Sequence, residues 1–183
     1  DGLKDVFFTG NLEDNQLYLN EGDLRFRDIT NTAGVGMPGA WSSGVTVVDI
    51  NGDGWDDIYV TATFWEDAAR RTNRLFINQG LDEQGLPRFI DEAAAYGIDD
   101  DGHSTHAVFL DYDLDGDLDL YILTNEMIIS RTQSMENRVM DGTSETTDRF
   151  YRNEGNGRFI EWSQQAGVLY EGFGLGILVL DFN

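Results

Sequence analysis

Aspartates recur at alternate positions in two stretches of this chain. Residues 49–57 read Asp-Ile-Asn-Gly-Asp-Gly-Trp-Asp-Asp, and residues 111–119 read Asp-Tyr-Asp-Leu-Asp-Gly-Asp-Leu-Asp. The common pattern is Asp-x-Asp/Asn-x-Asp-Gly-x-x-Asp. If the backbone coils tightly, the side chains at positions 1, 3 and 5 converge on one point. Glycine at position 6 permits the positive φ that such a coil needs. The carbonyl of position 7 then turns inward, and the aspartate at position 9 closes the shell. Carboxylates held this close repel one another without a cation. An all-oxygen donor set suits a hard ion that takes six to eight oxygens at about 2.3–2.6 Å.

The spacing therefore predicts Ca²⁺ held by Asp49, Asn51, Asp53, Asp57 and the carbonyl of Trp55 in one loop. In the other, the ligands are Asp111, Asp113, Asp115, Asp119 and the carbonyl of Asp117. Magnesium keeps more of its water, and transition metals ask for histidine or thiolate. An Asp/Gly-rich β-turn holding no ion is the alternative. Two partial copies stand at the chain ends: Asp181 and Asn183 match the front half of the loop, and Asp1 and Asp5 the back half. Two complete sites and two partial ones are expected. An EF-hand loop begins alike but places glutamate at position 12 between helices; here position 12 is Val60 or Ile122, inside β-forming sequence.

The elements that must position these loops repeat with them. An apolar run precedes each loop (residues 45–48 and 107–110), and an alternating segment follows it. Then come strand-like segments ending in Asn-x-Gly at Asn20, Asn78 and Asn153, and a shorter strand around Phe26, Phe89 or Phe159. Each unit ends on a step containing Gly34, Gly97 or Gly167. Four antiparallel strands per unit make one blade of a β-propeller; a linear stack of sheets fits the same period. The expectation is an all-β chain with calcium loops between first and second strands. It forms one repeat domain, 1–183, with blades near 1–40, 41–102, 103–172 and 173–183. The first strand reads as buried on both faces, and the second as half-buried. The apolar run 173–180 reads as a buried strand opening the last blade.

Loops 49–57 and 111–119, with the strands beside them, resemble the FG-GAP and VCBS repeats of integrin-α-type β-propellers. The added Asn-x-Gly hairpin and the Ala-Gly-Val step are similar to the branch found with ASPIC/UnbV domains and cartilage acidic proteins. The resemblance implies seven blades, a calcium ion in most of them, and a secreted or cell-surface setting with a role such as adhesion. Seven blades need more than 183 residues, so the resemblance makes this chain either a fragment or one part of an assembly. The sequence departs from the family pattern where Trp41-Ser-Ser-Gly44 and His103-Ser-Thr-His106 stand in place of a glycine-rich step.

Bulk properties narrow the partners. Thirty-four acids against twelve bases give a net charge of −22, which repels nucleic acid and anionic membrane. No cysteine is present, which removes disulfide, thiolate-metal and cysteine-nucleophile chemistry. No apolar run reaches the ~18 residues that a membrane span requires. Length varies at one connection, through 61–73 and 124–148, and recurrent insertion there marks a binding face for protein or glycan. A short helix through 127–140 is one reading of the longer insertion and a surface loop is the other.

Other candidates are weaker. His103 and His106 suit an ordinary loop better than a transition-metal site. Glu126 with Asp67 or Glu66 could form a glycan-cleaving carboxylate pair. Trp41, Trp55, Trp65 and Trp162 read as packing residues, with Trp65 the one to test for carbohydrate or protein contact, and Arg70-Arg71 as a solvated basic spot. The leading expectation is a non-enzymatic calcium-binding scaffold in an extracellular, cell-surface or periplasmic setting. The alternatives are a polysaccharide lyase or hydrolase with structural calcium, and a self-associating structural module.

Overall fold

A computed structural model describes residues 2–125, 139–172 and 174–180. The described residues form three antiparallel sheets joined by single-turn helices. The first sheet has the order β1 (Val6–Phe8), β2 (Gln16–Asn20), β3 (Phe26–Asp28). The second is β4 (Ser42–Val48), β5 (Asp57–Ala62), β6 (Arg74–Leu81), β7 (Pro87–Asp91). The third repeats it as β8 (Ser104–Leu110), β9 (Asp119–Thr124), β10 (Arg149–Asn153), β11 (Phe159–Glu161). Strand order follows chain order, as in a propeller blade. Register repeats too: Val6 faces Tyr18, Ile58 faces Phe76 and Leu120 faces Tyr151.

Apolar residues hold the sheets together. One cluster joins Leu17, Ile29, Ala33 and Val35 of the first unit to Ile58, Val60 and Phe76 of the second. The other joins Tyr59, Leu75, Ile77 and Ile98 to Leu120, Ile122, Tyr151 and Phe159. Polar groups bridge the second junction as well. Asn73 Nδ2 donates to Tyr59 Oη at 3.1 Å and to Ser104 Oγ at 3.0 Å. Strands β4 and β8 lie side by side, so close that a Cβ on Gly44 would sit 2.7 Å from the Thr105 carbonyl oxygen.

The structure reverses the expected burial of the first two strands. β4 and β8 are only half-buried, with Val47 56% exposed, because each is a sheet edge with a hydrogen-bonded neighbour on one side. β5 is buried along its whole length. Its residues do alternate, but both faces are interior: Ile58 and Val60 enter one cluster and Tyr59 the other. The run 174–180, expected as a buried strand, is not a strand, and Leu175 and Leu178 are 87% and 77% exposed. Among the described residues no strand pairs with it, so it lacks the partner that would cover it.

Two further features differ from expectation. Each Gly-containing step is the end of a one-turn helix: α1 (Thr30–Ala33), α2 (Ala93–Tyr96) and α3 (Ser163–Ala166). The closing glycines Gly34, Gly97 and Gly167 adopt φ of 81°, 77° and 75°, the left-handed cap that favours glycine. His106, expected in a loop, lies within β8, where the register shifts between Ser104 and His106; β4 shows the same irregularity between Ser42 and Gly44. The residues that depart from the glycine-rich step thus form a bulge opening each first strand. The helix considered for 127–140 falls mostly on 126–138, outside the described residues; 139 and 140 are not helical.

Candidate metal loops

Each loop joins the first strand of a sheet to its second, and the two loops share one hydrogen-bonded frame. Asp49 Oδ1 accepts from Asp53 N at 3.1 Å and its Oδ2 from Gly54 N at 2.9 Å. Asp111 does the same with Asp115 N and Gly116 N, at 3.1 Å each. Position 5 caps position 7: Trp55 N donates to Asp53 Oδ1 at 2.8 Å, and Asp117 N to Asp115 Oδ1 at 2.9 Å. Gly54 and Gly116 take φ of 87° and 96°, which makes the coil possible without Cβ strain. Side chains at positions 1, 3 and 5 do converge. One carboxylate oxygen each from Asp111, Asp113 and Asp115 lies within 4.8 Å of the others.

The donor set fits the predicted ion. Two oxygens on one Ca²⁺ stand no more than about 5 Å apart, given bond lengths near 2.3–2.6 Å. All donors are oxygens, as a hard cation requires. Loop 49–57 differs by one group. Asn51 occupies position 3, and its Nδ2 donates to Asp53 Oδ2 at 3.0 Å, so a neutral amide stands where Asp113 adds a charge in the other loop.

The closing aspartates sit apart from this cluster. Asp57 and Asp119 are 0% and 1% exposed, while positions 3 and 5 are exposed. Both oxygens of each accept backbone N–H groups: Asp57 from Asn78 at 2.7 Å and Ile50 at 3.1 Å, Asp119 from Asn153 at 2.8 Å and Tyr112 at 3.2 Å. Burial pushes both carboxyls above the usual range, these backbone bonds pull them back, and the neighbouring loop acids add to the upward push. A carboxylate has about four acceptor positions, so two N–H bonds fix its orientation and leave lone pairs toward the loop. Asp5 follows the rule, accepting Asn20 N at 2.8 Å. Asp1, Asp181 and Asn183 lie outside the described residues.

Among the described residues, the remaining candidates are not brought together as sites. His103 Nδ1 is 3.5 Å from Thr63 Oγ1. Asp67 accepts from Ala69 N at 3.1 Å and caps a 3₁₀ turn over Ala68–Arg70; Glu126, its proposed partner, lies outside the described residues. Trp65 stacks beneath the Arg70 guanidinium at 3.5 Å, which takes up part of the ring face and removes Arg70 from the class of free surface cations. Trp55 is 44% exposed rather than packed. Sequence reasoning missed Asn20, Asn78 and Asn153, read only as turn residues. Their recurrence at one place after each loop was the available signal.

Residues 1–60 match the family model of the FG-GAP-like repeat. No curated protein matches the chain. The stretch that matches contains the whole of loop 49–57 and the strand that enters it, so this part of the chain is similar to an FG-GAP-like repeat. The match bears on the FG-GAP part of the resemblance.

Proposed function

We propose that this propeller-type module, opening on an FG-GAP-like repeat, binds Ca²⁺ in loops 49–57 and 111–119 and serves as an extracellular or cell-surface scaffold. One observation carries the reading: the same coil is built twice, with Asp49 and Asp111 accepting from equivalent N–H groups, and brings three carboxylates within 4.8 Å in one copy. Once bound, the ion offsets carboxylate repulsion and ties together the tips of the first and second strands. Asp49 and Asp111 hold the coil, Asp53 and Asp115 cap its far side, and Asp57 and Asp119 anchor it to the sheet. Extracellular calcium modules work near millimolar ion, which supports placement outside the cell. No helix of the described residues is long and apolar enough to cross a membrane.

The connections 61–73 and 124–148 are the proposed face for protein or glycan. Repeats of the FG-GAP type typically act without catalysis, which favours a scaffold over a polysaccharide lyase. Thermal melts in EGTA and in millimolar calcium test the reading. At about 100 times Kd one site adds roughly 2.7 kcal/mol, so the melting temperature rises with calcium; an unchanged temperature overturns it.

A second reading rests on a separate observation. Val6, Phe8, Tyr18 and Phe26 line an apolar hollow on the outer face of the first sheet. By register they match Ile58, Val60, Phe76 and Phe89, and Leu120, Ile122, Tyr151 and Phe159, all packed on the preceding sheet. The hollow therefore suits a further sheet of this repeat, and in a solution of this chain a second copy supplies one. Sedimentation of the parent and of Phe8→Asp tests this: association lost in the variant supports it, and a parent that stays monomeric at high concentration contradicts it.

A further inference from the structure

We infer that Asn78 and Asn153 are positioning residues for the calcium loops, each holding the second half of its loop from a strand that is not part of it. This rests on the calcium reading above. Asn78 makes three bonds. Its backbone N–H donates to Asp57 Oδ1 at 2.7 Å, its Nδ2 to the Asp56 carbonyl at 3.1 Å, and its Oδ1 accepts from Gly80 N at 2.9 Å. Asn153 repeats all three, with Asp119 Oδ1 at 2.8 Å, the Leu118 carbonyl at 3.1 Å and Gly155 N at 2.9 Å. Asn20 repeats them again, with Asp5, Lys4 and Gly22 at 2.8, 3.0 and 2.9 Å.

The turn glycine completes the clasp. Gly80 and Gly155 hold φ of 80° and 76°, and the position-7 side chain lies over each. A Cβ on Gly80 would stand 3.9 Å from the Trp55 ring, and one on Gly155 3.4 Å from Asp117 Oδ2. One Asn-x-Gly turn thus fixes two consecutive loop residues, the position-8 carbonyl and the position-9 carboxylate. The side chains at position 7 are unrelated (Leu3, Trp55, Asp117), whereas the asparagine bonds are the same each time. Ligands oriented in advance bind ions more tightly, and loss of such support lowers metal affinity by about 10–100-fold.

Calcium titration of the whole chain, followed at the Gly54 and Gly116 amides by NMR, separates the two loops. Asn78→Ala is expected to raise Kd at loop 49–57 by about 10–100-fold and leave loop 111–119 unchanged. Asn153→Ala gives the mirror image. Asn78→Asp keeps the acceptor for Gly80 N but loses the donor to the Asp56 carbonyl, and gives an intermediate loss. It also serves if the alanine variant does not fold. An asparagine with only a structural role lowers the calcium-free melting temperature and leaves the affinity at its own loop intact. Wild-type affinity at the altered loop in a folded variant overturns the assignment alone. A parent chain that takes up no calcium overturns the calcium reading, and this assignment with it.

Discussion

Tyr151 Oη donates to Asp100 Oδ2 at 2.7 Å across the junction of the second and third sheets. Tyr151 is 9% exposed; burial, and then the Asp100 charge, push its hydroxyl far above the usual range and keep it a donor. Tyr151→Phe preserves the apolar packing and leaves Asp100 short of one bond. Destabilisation of about 1–3 kcal/mol follows, read as a lower urea midpoint with an unchanged slope.

The two loops should not bind calcium equally. Asn51 stands where the other loop has Asp113, and it already bonds Asp53. Loop 111–119 therefore binds more tightly. Asn51→Asp is expected to tighten loop 49–57 and to lower the melting temperature of the calcium-free chain, since a third carboxylate joins Asp49 and Asp53. Calorimetric titration of parent and variant, with melts in EGTA, checks both outcomes.

Acid should narrow the effect of calcium. Burial raises Asp57 and Asp119 in the ion-free chain. A raised folded value means that protonation favours the folded form. Their contribution is full below the unfolded value near 3.8 and is lost as pH rises through the folded value. Calcium requires the deprotonated carboxylates, so its stabilisation runs the other way. The gap between melting temperatures with and without calcium is expected to widen from pH 4 to pH 7; a constant gap contradicts this.

Gly97 is held by two constraints. Its φ is 77°, and a Cβ there would lie 3.0 Å from the Phe159 carbonyl oxygen of the next sheet. Gly85 has a similar φ of 75° with nothing within 4 Å of that position. Gly85→Ala thus measures backbone strain alone, about 1 kcal/mol or more. Gly97→Ala is expected to cost more, through displacement of the sheet junction. Equal urea midpoints for the two variants run against the close-approach account.

The sequence showed the loops well because their chemistry is local: Asp49, Asn51 and Asp53 converge through a coil that their own spacing dictates. The strands were legible for the same reason, since Asn78 and Phe89 mark both arms of a hairpin. Burial was not legible. Ile58 and Tyr59 alternate as a half-buried strand would, and only the neighbouring sheets make both faces interior. The asparagine clasp was hidden for a related reason: Asn153 and Asp119 are far apart in the chain and meet only when β9 and β10 pair.

Calorimetric titration of calcium into the intact chain tests the central claim most directly. The account predicts saturable uptake at both loops, with Asp53→Ala removing one site and Asp115→Ala the other while each variant stays folded. Uptake that is absent from the parent, or unchanged in both variants, would contradict it.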